Sequence, residues 1–173
     1  MSEFHLPRPP HYEGALLIAK GMTMRFGGVT AVSELSLALP KGGIAGIIGP
    51  NGAGKTTAFN VLSGFYTPQE GDVILDGQSI KGLKPYDICR RGMARTFQNI
   101  RLSQHMTVLE NIVEAPLHVL KEERQAAVDH AHALLKKVGL SDKHAQYPGQ
   151  LSGGQQQRAA IARTLAMRPK LIL

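Results

Sequence analysis

The sequence predicts an α/β fold with an N-terminal β part and a helical insertion, and three observations support this prediction. Short runs with the alternation of β-strands fill residues 15–39. Amphipathic helical patterns follow residue 84. A short apolar run, "LIL", then returns at residues 171–173, and such runs are typical of parallel strands buried on both faces. Strands, then helices, then an apolar strand is the order expected of an α/β core that carries a helical insertion.

The β part is predicted from alternating runs that are separated by turn residues. A proline-rich lead over residues 1–13, which we expect to be flexible, precedes the runs "LLIAKGMTMRF" and "AVSELSLAL". Gly27–Gly28 separates these two runs, and the pattern predicts antiparallel strands. Further on, "GDVILDGQSI" predicts another strand with a tight turn at Asp76–Gly77.

An apolar strand followed by a helix is predicted in the middle of this part. The uniformly apolar run "GIAGIIG" (residues 43–49) predicts a buried strand. A helix is expected over residues 54–63, and Gly64 is placed to end it. A shorter helix is expected between Pro85, which suits a first helical position, and Gly92.

The remaining helices are predicted from their caps and their periodicity. Thr107 and Glu110 have the spacing of a capping box, and Pro116 is expected to break or kink the helix that begins there. The next helix, in "KEERQAAVDHAHALLKKVGL", is predicted to have acids in its first turn, lysines in its last turn and Gly139 as its cap. Its apolar positions, 127, 131, 134, 135 and 138, follow helical spacing.

The composition indicates a soluble globular protein of about one domain. The 173 residues are 43% apolar and 19% charged, and no run approaches the ~18 apolar residues of a membrane span. A single cysteine, Cys89, fits a reducing compartment, and the N-terminus lacks the apolar region of a signal peptide. We therefore expect a cytoplasmic protein.

Charge and histidine content favour neither nucleic acid nor a histidine metal site. The net charge is +7, but the basic residues are scattered, so a solvated basic surface is a better interpretation than a nucleic-acid interface. Among the seven histidines, His130 and His132 are two residues apart and do not share a helix face. No HExxH motif or Cys/His cluster is present.

The stretch "GIIGPNGAGKTT" fits the phosphate-binding pattern G-x-x-x-x-G-K-[ST] between an apolar strand and a helix. Glycines let backbone N–H groups surround phosphate oxygens, and the helix N-terminus adds its positive end. Lys55 is expected at the β- and γ-phosphates and the Thr56 hydroxyl on Mg²⁺. The alternative, a glycine-rich turn, does not explain the lysine. The predicted nucleotide-binding residues here are Gly49, Pro50, Asn51, Gly52, Ala53, Gly54, Lys55, Thr56 and Thr57.

A second glycine pair lies in "LSGGQQQRAAIARTLAMRP", where Ser152 is a favourable N-cap. Glycines in the first turn of a helix cost about 1 kcal/mol each relative to alanine. Gly153 and Gly154 offer bare N–H groups at a positive helix end, which indicates a second anion site. An ordinary capped helix with tolerated glycines is the alternative.

Together, "GPNGAGKTT" and "LSGGQQQR" resemble the ATP-binding subunits of ABC transporters. The resemblance implies a P-loop NTPase of ABC type, an α/β fold with an antiparallel β part and a helical subdomain. It also implies that two ATP molecules are enclosed in a head-to-tail dimer. In that dimer, the γ-phosphate held by the other subunit's P-loop is bound by Ser152, Gly153, Gly154 and Gln155.

The resemblance also implies roles for two isolated residues. Gln98, in "ARTFQNIRL", matches the Q-loop glutamine that contacts Mg²⁺ and the attacking water, so Lys55 and Gln98 are the expected catalytic residues and Thr56 and Gln98 the expected metal ligands. Phe26, in "MRFGG", matches the aromatic residue that stacks on adenine, with core packing as the alternative. No N-K-x-D guanine-binding motif is present.

The stretches "RFGG", "GMARTFQNIRL" and "MTVLENI" are similar to the branched-chain amino-acid importer subgroup, and the resemblance covers residues 15–173. It implies a homo- or heterodimer with another ABC ATPase subunit, permease subunits as membrane partners, and indirect contact with a substrate-binding protein. Such a subunit is peripheral on the inner face of the cell membrane. The expected segments are a flexible lead (1–13), a nucleotide-binding core with a β subdomain (14–92), a Q-loop and helical subdomain (93–150), and a signature helix with the start of the Walker B strand (151–173).

In this family an Asp-Glu pair ends the strand that comes after "RPK", and the sequence stops at Leu173, before that pair. We therefore expect ATP hydrolysis of the complete subunit and poor hydrolysis by these 173 residues alone. Two alternatives stay open: a nucleotide-binding module without catalysis, and a soluble ABC ATPase outside transport. Proteins of the latter kind usually carry coiled-coil insertions or duplicated cassettes, and the sequence has neither.

Overall fold

The computed structural model of the protein describes residues 13–96 and 102–173. The chain forms two compact units, Met1–Arg91 and Gly92–Leu173. In the described part of the chain, no helix is long and apolar enough to cross a membrane.

The first unit is built on one antiparallel sheet with strand order β2-β1-β3-β4. The strands are β1 (Ala15–Phe26), β2 (Val29–Pro40), β3 (Glu70–Leu75) and β4 (Gln78–Ser79). The central strand β1 pairs with both β2 and β3 and buries Leu17, Ala19 and Met22 almost completely. The predicted antiparallel β part is confirmed.

The turns of this sheet depend on left-handed backbone. Between β3 and β4, Asp76 and Gly77 have φ values of 49° and 78°, as the tight hairpin turn at this position requires. The predicted turn is therefore confirmed. Between β1 and β2, Gly27 has a φ of 54°.

The first unit also contains two helices, α1 (Lys55–Leu62) and α2 (Pro85–Arg90). Gly64 follows α1 with a φ of 76°, and a side chain there would overlap the Ile88 side chain of α2. Both helices are confirmed, and glycine is required at 64 because another residue would be strained and would also collide with its neighbour.

The predicted buried strand over residues 43–49 is wrong. This segment belongs to neither described sheet, and Ile44 and Ile48 are 101% and 89% exposed. An apolar run indicates only that a segment is suited to burial, whereas a strand also needs a neighbour that bonds its N–H and C=O groups. No strand among residues 13–96 and 102–173 pairs with this segment, so it forms a loop.

The second unit combines three helices with a short parallel strand pair. Its elements are β5 (Met93–Ala94), α3 (Val108–His118), α4 (Arg124–Lys137), α5 (Gly153–Ala166) and β6 (Leu171–Ile172). Single 3-10 turns lie at Ser141–Lys143 and Pro148–Gln150. The strand predicted at the end of the sequence is confirmed as β6, parallel to β5, but only Leu171 is buried, and Ile172 is 39% exposed.

The core of this unit is formed by one face of each helix. The predicted apolar positions of α4 lie in this core at Ala127, Ala131, Leu134 and Leu135, while Val138 is only partly buried. The other helices contribute Val108, Ile112, Val113, Ala159, Ala162 and Ala166. The three alanines of α5 present no bulky side chain, so α5 can approach its neighbours closely.

The helix ends of this unit carry the predicted caps. The Glu110 backbone N–H donates to Thr107 Oγ1 (3.2 Å), and the Thr107 N–H donates to Glu110 Oε2 (2.7 Å), which confirms the capping box. The hydrogen bonds from the Thr107 backbone and hydroxyl lower the pKa of Glu110. Pro116 lies inside α3, which ends shortly afterwards at His118, and Gly139 follows α4 with a φ of 67°. The acids predicted in the first turn of α4 are not there, because the helix begins only at Arg124 and Glu123 is its N-cap, accepting from the Ala126 N–H (2.9 Å).

Replacing Leu135 by alanine should lower the free energy of unfolding of the protein by about 2–5 kcal/mol, because the side chain is completely buried and its removal leaves a cavity. Urea denaturation followed by circular dichroism measures the change. Lys136→Ala, at the exposed neighbouring position on the same helix, is the control and should change stability by less than ~0.5 kcal/mol. Equal stabilities for the two variants would contradict the assignment of this core.

Candidate functional site

The glycine loop (residues 49–54) joins the loop segment 43–49 to α1. Within it, the Ala53 N–H donates to the Pro50 carbonyl oxygen (3.2 Å), and Gly52 and Gly54 have φ values of 84° and 79°. These left-handed residues turn the chain directly into α1, whose first turn is closed by the bond from the Ala58 N–H to the Gly54 carbonyl oxygen (2.8 Å). The loop-to-helix transition that the motif predicts is therefore present.

Lys55 is the first residue of α1, and its ammonium group lies within the loop. Its Nζ donates to the carbonyl oxygens of Gly49 (2.7 Å) and Pro50 (2.6 Å). Helix α1 has no side-chain cap and no acidic residue in its first turn. The positive end of the helix dipole and the lysine charge therefore coincide, and no carboxylate of that turn offsets them. Such a place favours an anion.

The glycine loop packs closely against strand β2. A Cβ built on Gly54 would overlap the Ala31 carbonyl oxygen, so no larger residue fits without a shift of backbone. Ala31 is two residues beyond Val29, which pairs with Phe26 across the β1–β2 hairpin. Because strand residues rise by about 3.3 Å each, the loop and Phe26 belong to the same end of this hairpin.

Phe26 is not a core residue. Its side chain is 43% exposed, which argues against the core-packing alternative. Its ring meets Tyr66 in an edge-to-face arrangement, with 5.2 Å between centroids and 76° between ring planes. A single contact of this kind leaves at least one face of each ring uncovered by the other. The stacking of a base on Phe26 stays a prediction.

The expected metal ligands are described only in part. Thr56 is exposed at the second position of α1, beside Lys55, whereas Gln98 lies outside the described residues. Among the described residues no group of three or more His, Cys, Asp or Glu side chains could hold a metal ion. A magnesium site that includes a nucleotide needs only one or two protein ligands. The Thr56 hydroxyl fits this arrangement, since Mg²⁺ commonly keeps several waters and substrate phosphates.

The second glycine pair lies at the start of α5. The Gln155 N–H donates to Ser152 Oγ (3.3 Å), and the Ser152 N–H donates to Gln155 Oε1 (2.9 Å), which forms a capping box. Gly153 and Gly154 lie between these two residues, and both are exposed. This end of α5 is thus ordered by its own cap while the two glycine backbones face open space.

No packing contact explains the glycines of α5. A Cβ built on Gly153 or Gly154 would meet no heavy atom of the described residues within 4 Å, and neither residue has a left-handed φ. Gly54, by contrast, is required by both its conformation and its neighbour. The fold therefore requires glycine at position 54, whereas no contact among the described residues requires glycine at positions 153 and 154.

Sequence reasoning missed three residues of this site. Ala31 lies against the loop through its main chain, which no side-chain pattern reports. Tyr66 contacts Phe26, and Gln69 bonds the main chain of Arg25, in each case across about forty positions of sequence. A single sequence carries no periodicity or motif that links positions so far apart.

Alanine substitutions should separate these two kinds of glycine. Gly54→Ala should lower the free energy of unfolding by more than Gly52→Ala, because both force a left-handed alanine, at about 1–2 kcal/mol, but only position 54 adds a collision. Gly153→Ala should raise it, by up to about 1 kcal/mol, because alanine favours the helix and meets open space. Denaturant titrations of the three variants measure these changes. A destabilised Gly153→Ala would mean that this glycine has a packing role.

Comparisons with known proteins agree with this geometry. The family model described as ABC transporter matches residues 32–173. Two relatives are high-affinity branched-chain amino acid transport ATP-binding proteins, BraF of Pseudomonas aeruginosa and LivG of Escherichia coli. They are 39% and 38% identical to this chain over alignments of 172 positions, and each alignment covers 91% of this chain and 68% of the relative. The octopine permease ATP-binding protein P of Agrobacterium tumefaciens is 39% identical over 166 residues, covering 89% of this chain and 63% of that protein.

Solved structures give the same result. The ADP conformation of MJ1267, an ATP-binding cassette of an ABC transporter, superposes with a TM-score of 0.81 and 33% identity. A nucleotide-free ATP-binding cassette from an ABC transporter superposes with a TM-score of 0.80 and 32% identity. Each match covers 91% of this chain and 67% of the solved chain.

Proposed function

The chain belongs to the ABC transporter family, and we propose that it is the ATP-binding and ATP-hydrolysing subunit of an importer for branched-chain amino acids. The observation that carries this proposal is the glycine loop with Lys55 inside it, at an uncapped helix end that bears no acid. The triphosphate of ATP is the ligand whose charge and oxygen atoms match this set of donors.

The loop binds phosphate by exchanging its internal contacts for contacts to the ligand. In the free loop the Lys55 ammonium is held by two carbonyl oxygens, which are neutral acceptors. A phosphate oxygen carries negative charge that a carbonyl oxygen lacks, so the β- and γ-phosphates add a Coulomb attraction and compete well for this lysine. The backbone N–H groups at the start of α1 complete the phosphate contacts, and the left-handed glycines allow the close approach.

The remaining parts of the nucleotide are assigned to residues at the same hairpin end. Phe26 offers a ring face to adenine, since its side chain is partly exposed beside the loop. Thr56 offers its hydroxyl to Mg²⁺. The chemistry that Mg²⁺ would supply there is neutralisation of the charge that develops on the phosphates during phosphoryl transfer. Gln98, outside the described residues, is assigned to the same ion and to the attacking water.

The start of α5 is assigned to the ATP held by a second ATPase subunit. Ser152 and Gln155 order this helix end, and the two exposed glycines leave room for a phosphate group to approach the backbone. The absence of any packing reason for these glycines among the described residues supports a role in contact with a partner. ATP would then hold a head-to-tail dimer together, with two nucleotides at the interface.

The transported substrate is assigned from the relatives. BraF and LivG are named as branched-chain amino acid transport proteins, and protein P as part of an octopine permease. All three names describe transport proteins, which favours the subunit of an importer over a soluble ABC ATPase that acts outside transport. The proposal therefore includes permease subunits as direct partners, a substrate-binding protein as an indirect one, and a peripheral position on the inner face of the cell membrane.

Lys55→Ala should weaken the binding of ATP about 10- to 100-fold, because it removes the charge that faces the phosphates; contacts to charged groups of this kind contribute ~1.5–3 kcal/mol. Isothermal titration calorimetry in the presence of Mg²⁺ measures the dissociation constant. Lys81→Ala is the matched control, since Lys81 also donates to a main-chain carbonyl, that of Gly71 (2.8 Å), but lies outside the loop. Unchanged ATP affinity in a folded Lys55→Ala protein would exclude the loop as the phosphate site.

Gly153→Asp should leave the binding of ATP by the monomer unchanged and abolish the dimerisation that ATP drives. The new carboxylate would face the γ-phosphate held by the partner, and like charges repel strongly in a partly desolvated interface. Analytical ultracentrifugation in the presence of a non-hydrolysable ATP analogue tests this, with Gly153→Asn as the control that adds nearly the same bulk without the charge. Dimers of Gly153→Asp at wild-type protein concentrations would exclude a role for this helix end in the interface.

A further inference from the structure

The end of strand β1 that carries Phe26 is held by the segment that follows α1, residues 65–70. We infer that Tyr66 and Gln69 are positioning residues for the nucleotide base, which hold the Phe26 ring in its binding orientation before the base arrives. This inference rests on the proposed function, because it takes Phe26 as the ring on which the base stacks.

Gln69 extends the β1–β3 pairing beyond the start of β3. The last residue pair of that ladder is Thr23 with Glu70. The Gln69 N–H then donates to the Thr23 carbonyl oxygen (3.1 Å). The Gln69 side chain continues the ladder, since the Arg25 N–H donates to its Oε1 (2.9 Å) and its Nε2 donates to the Arg25 carbonyl oxygen (3.0 Å). One amide side chain thus satisfies both main-chain groups of the residue before Phe26.

This restraint acts on the side of β1 that faces away from β2, beyond the start of β3. β2 pairs with the other side, where Phe26 lies opposite Val29. Gly27 and Gly28 follow Phe26 directly, and a loop tip with small residues is where local motion concentrates. The ion pair between the Arg25 guanidinium and Glu70 (2.6 Å) adds a third link from the same segment, although both groups are about half exposed. The main chain that leads to Phe26 is therefore held on both sides, by β2 and by residues 69–70.

Tyr66 restrains the ring itself. Its edge-to-face contact with Phe26 favours one orientation of the two rings, while Phe26 stays 43% exposed. An oriented, exposed ring is suited to stacking, because less side-chain freedom is lost when the base binds.

Helix α1 links this restraint to the glycine loop. At its start Gly54 lies against Ala31 of β2, and beyond its end Tyr66 lies against Phe26 of β1. The N–H of Tyr66 donates to the Asn60 carbonyl oxygen (3.2 Å), so the position of Tyr66 follows that of the helix. One helix therefore sets the places of both the phosphate loop and the base ring on the same hairpin.

The test is a double-mutant cycle on ATP affinity, measured by calorimetry on the purified protein with Mg²⁺. Tyr66→Ala should weaken the binding of ATP about two- to tenfold, the range that corresponds to an aromatic pair of this kind. Gln69→Leu, which keeps the volume and removes both hydrogen bonds, should have an effect in the same range. In a Phe26→Ala background neither substitution should weaken binding further, because the ring that they position is gone.

Three controls separate positioning from a general loss of structure. Tyr66→Phe keeps the ring and should bind ATP like the wild type. Tyr86→Ala removes another exposed tyrosine, which lies on α2 and contacts Arg90, and should have no effect. Inorganic tripolyphosphate, used as a competitor, has no base, so its affinity should be the same in the wild type, Tyr66→Ala and Gln69→Leu.

Two results would overturn the inference alone: wild-type ATP affinity in folded Tyr66→Ala and Gln69→Leu, or equal losses in the presence and absence of Phe26. A parallel loss of ATP and tripolyphosphate affinity would overturn it too, since it would mean that the whole loop had moved. The failure of the proposed function looks different. In that case the wild type would not bind ATP, or Lys55→Ala would bind it unchanged, and both proposals would fall together.

Discussion

The contact between Gly54 and the carbonyl oxygen of Ala31 is the constraint around which the candidate nucleotide site is arranged. It holds the glycine loop against strand β2 and requires a left-handed residue without a side chain. Because α1 begins at the next residue, the same contact sets the direction of that helix and the place of the Lys55 ammonium. The electrostatics of the loop therefore depend on a steric condition, the close packing of one backbone against another.

In the proposed function both α1 and α5 present their N-terminal ends to anions, but only α5 is capped by its own side chains. Helix α1 has no side-chain cap, so its first N–H groups and Lys55 act together on a ligand bound within one chain. Helix α5 is closed by the Ser152–Gln155 box, and its glycines face open space. A capped end keeps its geometry without a ligand, which suits a surface that must be ready for a second molecule. An uncapped end gains most when the ligand itself supplies the missing acceptors.

Helix α5, whose N-terminal end carries the two glycines, is held by the core that it forms with α3 and α4. Ala159, Ala162 and Ala166 lie on the buried face of α5 and let it pack closely against α3 and α4. The Arg158 guanidinium donates to the Val138 carbonyl oxygen (2.8 Å), just beyond the end of α4, and so ties the two helices by a polar contact as well. A helix that is fixed along its length presents its first turn in one orientation, which a site shared between two subunits needs.

The sequence by itself determined the features that depend on neighbours in the chain. The glycine loop, the capping boxes and the hairpin at Asp76–Gly77 result from backbone conformations and bonds within a few residues. Only the tertiary structure decided whether residues 43–49 pair with another strand, and in the described part of the chain they do not. It also decided that Tyr66 and Gln69 meet the segment of Phe26. Contacts across some forty positions depend on how the whole sheet folds, and local propensity carries no record of them.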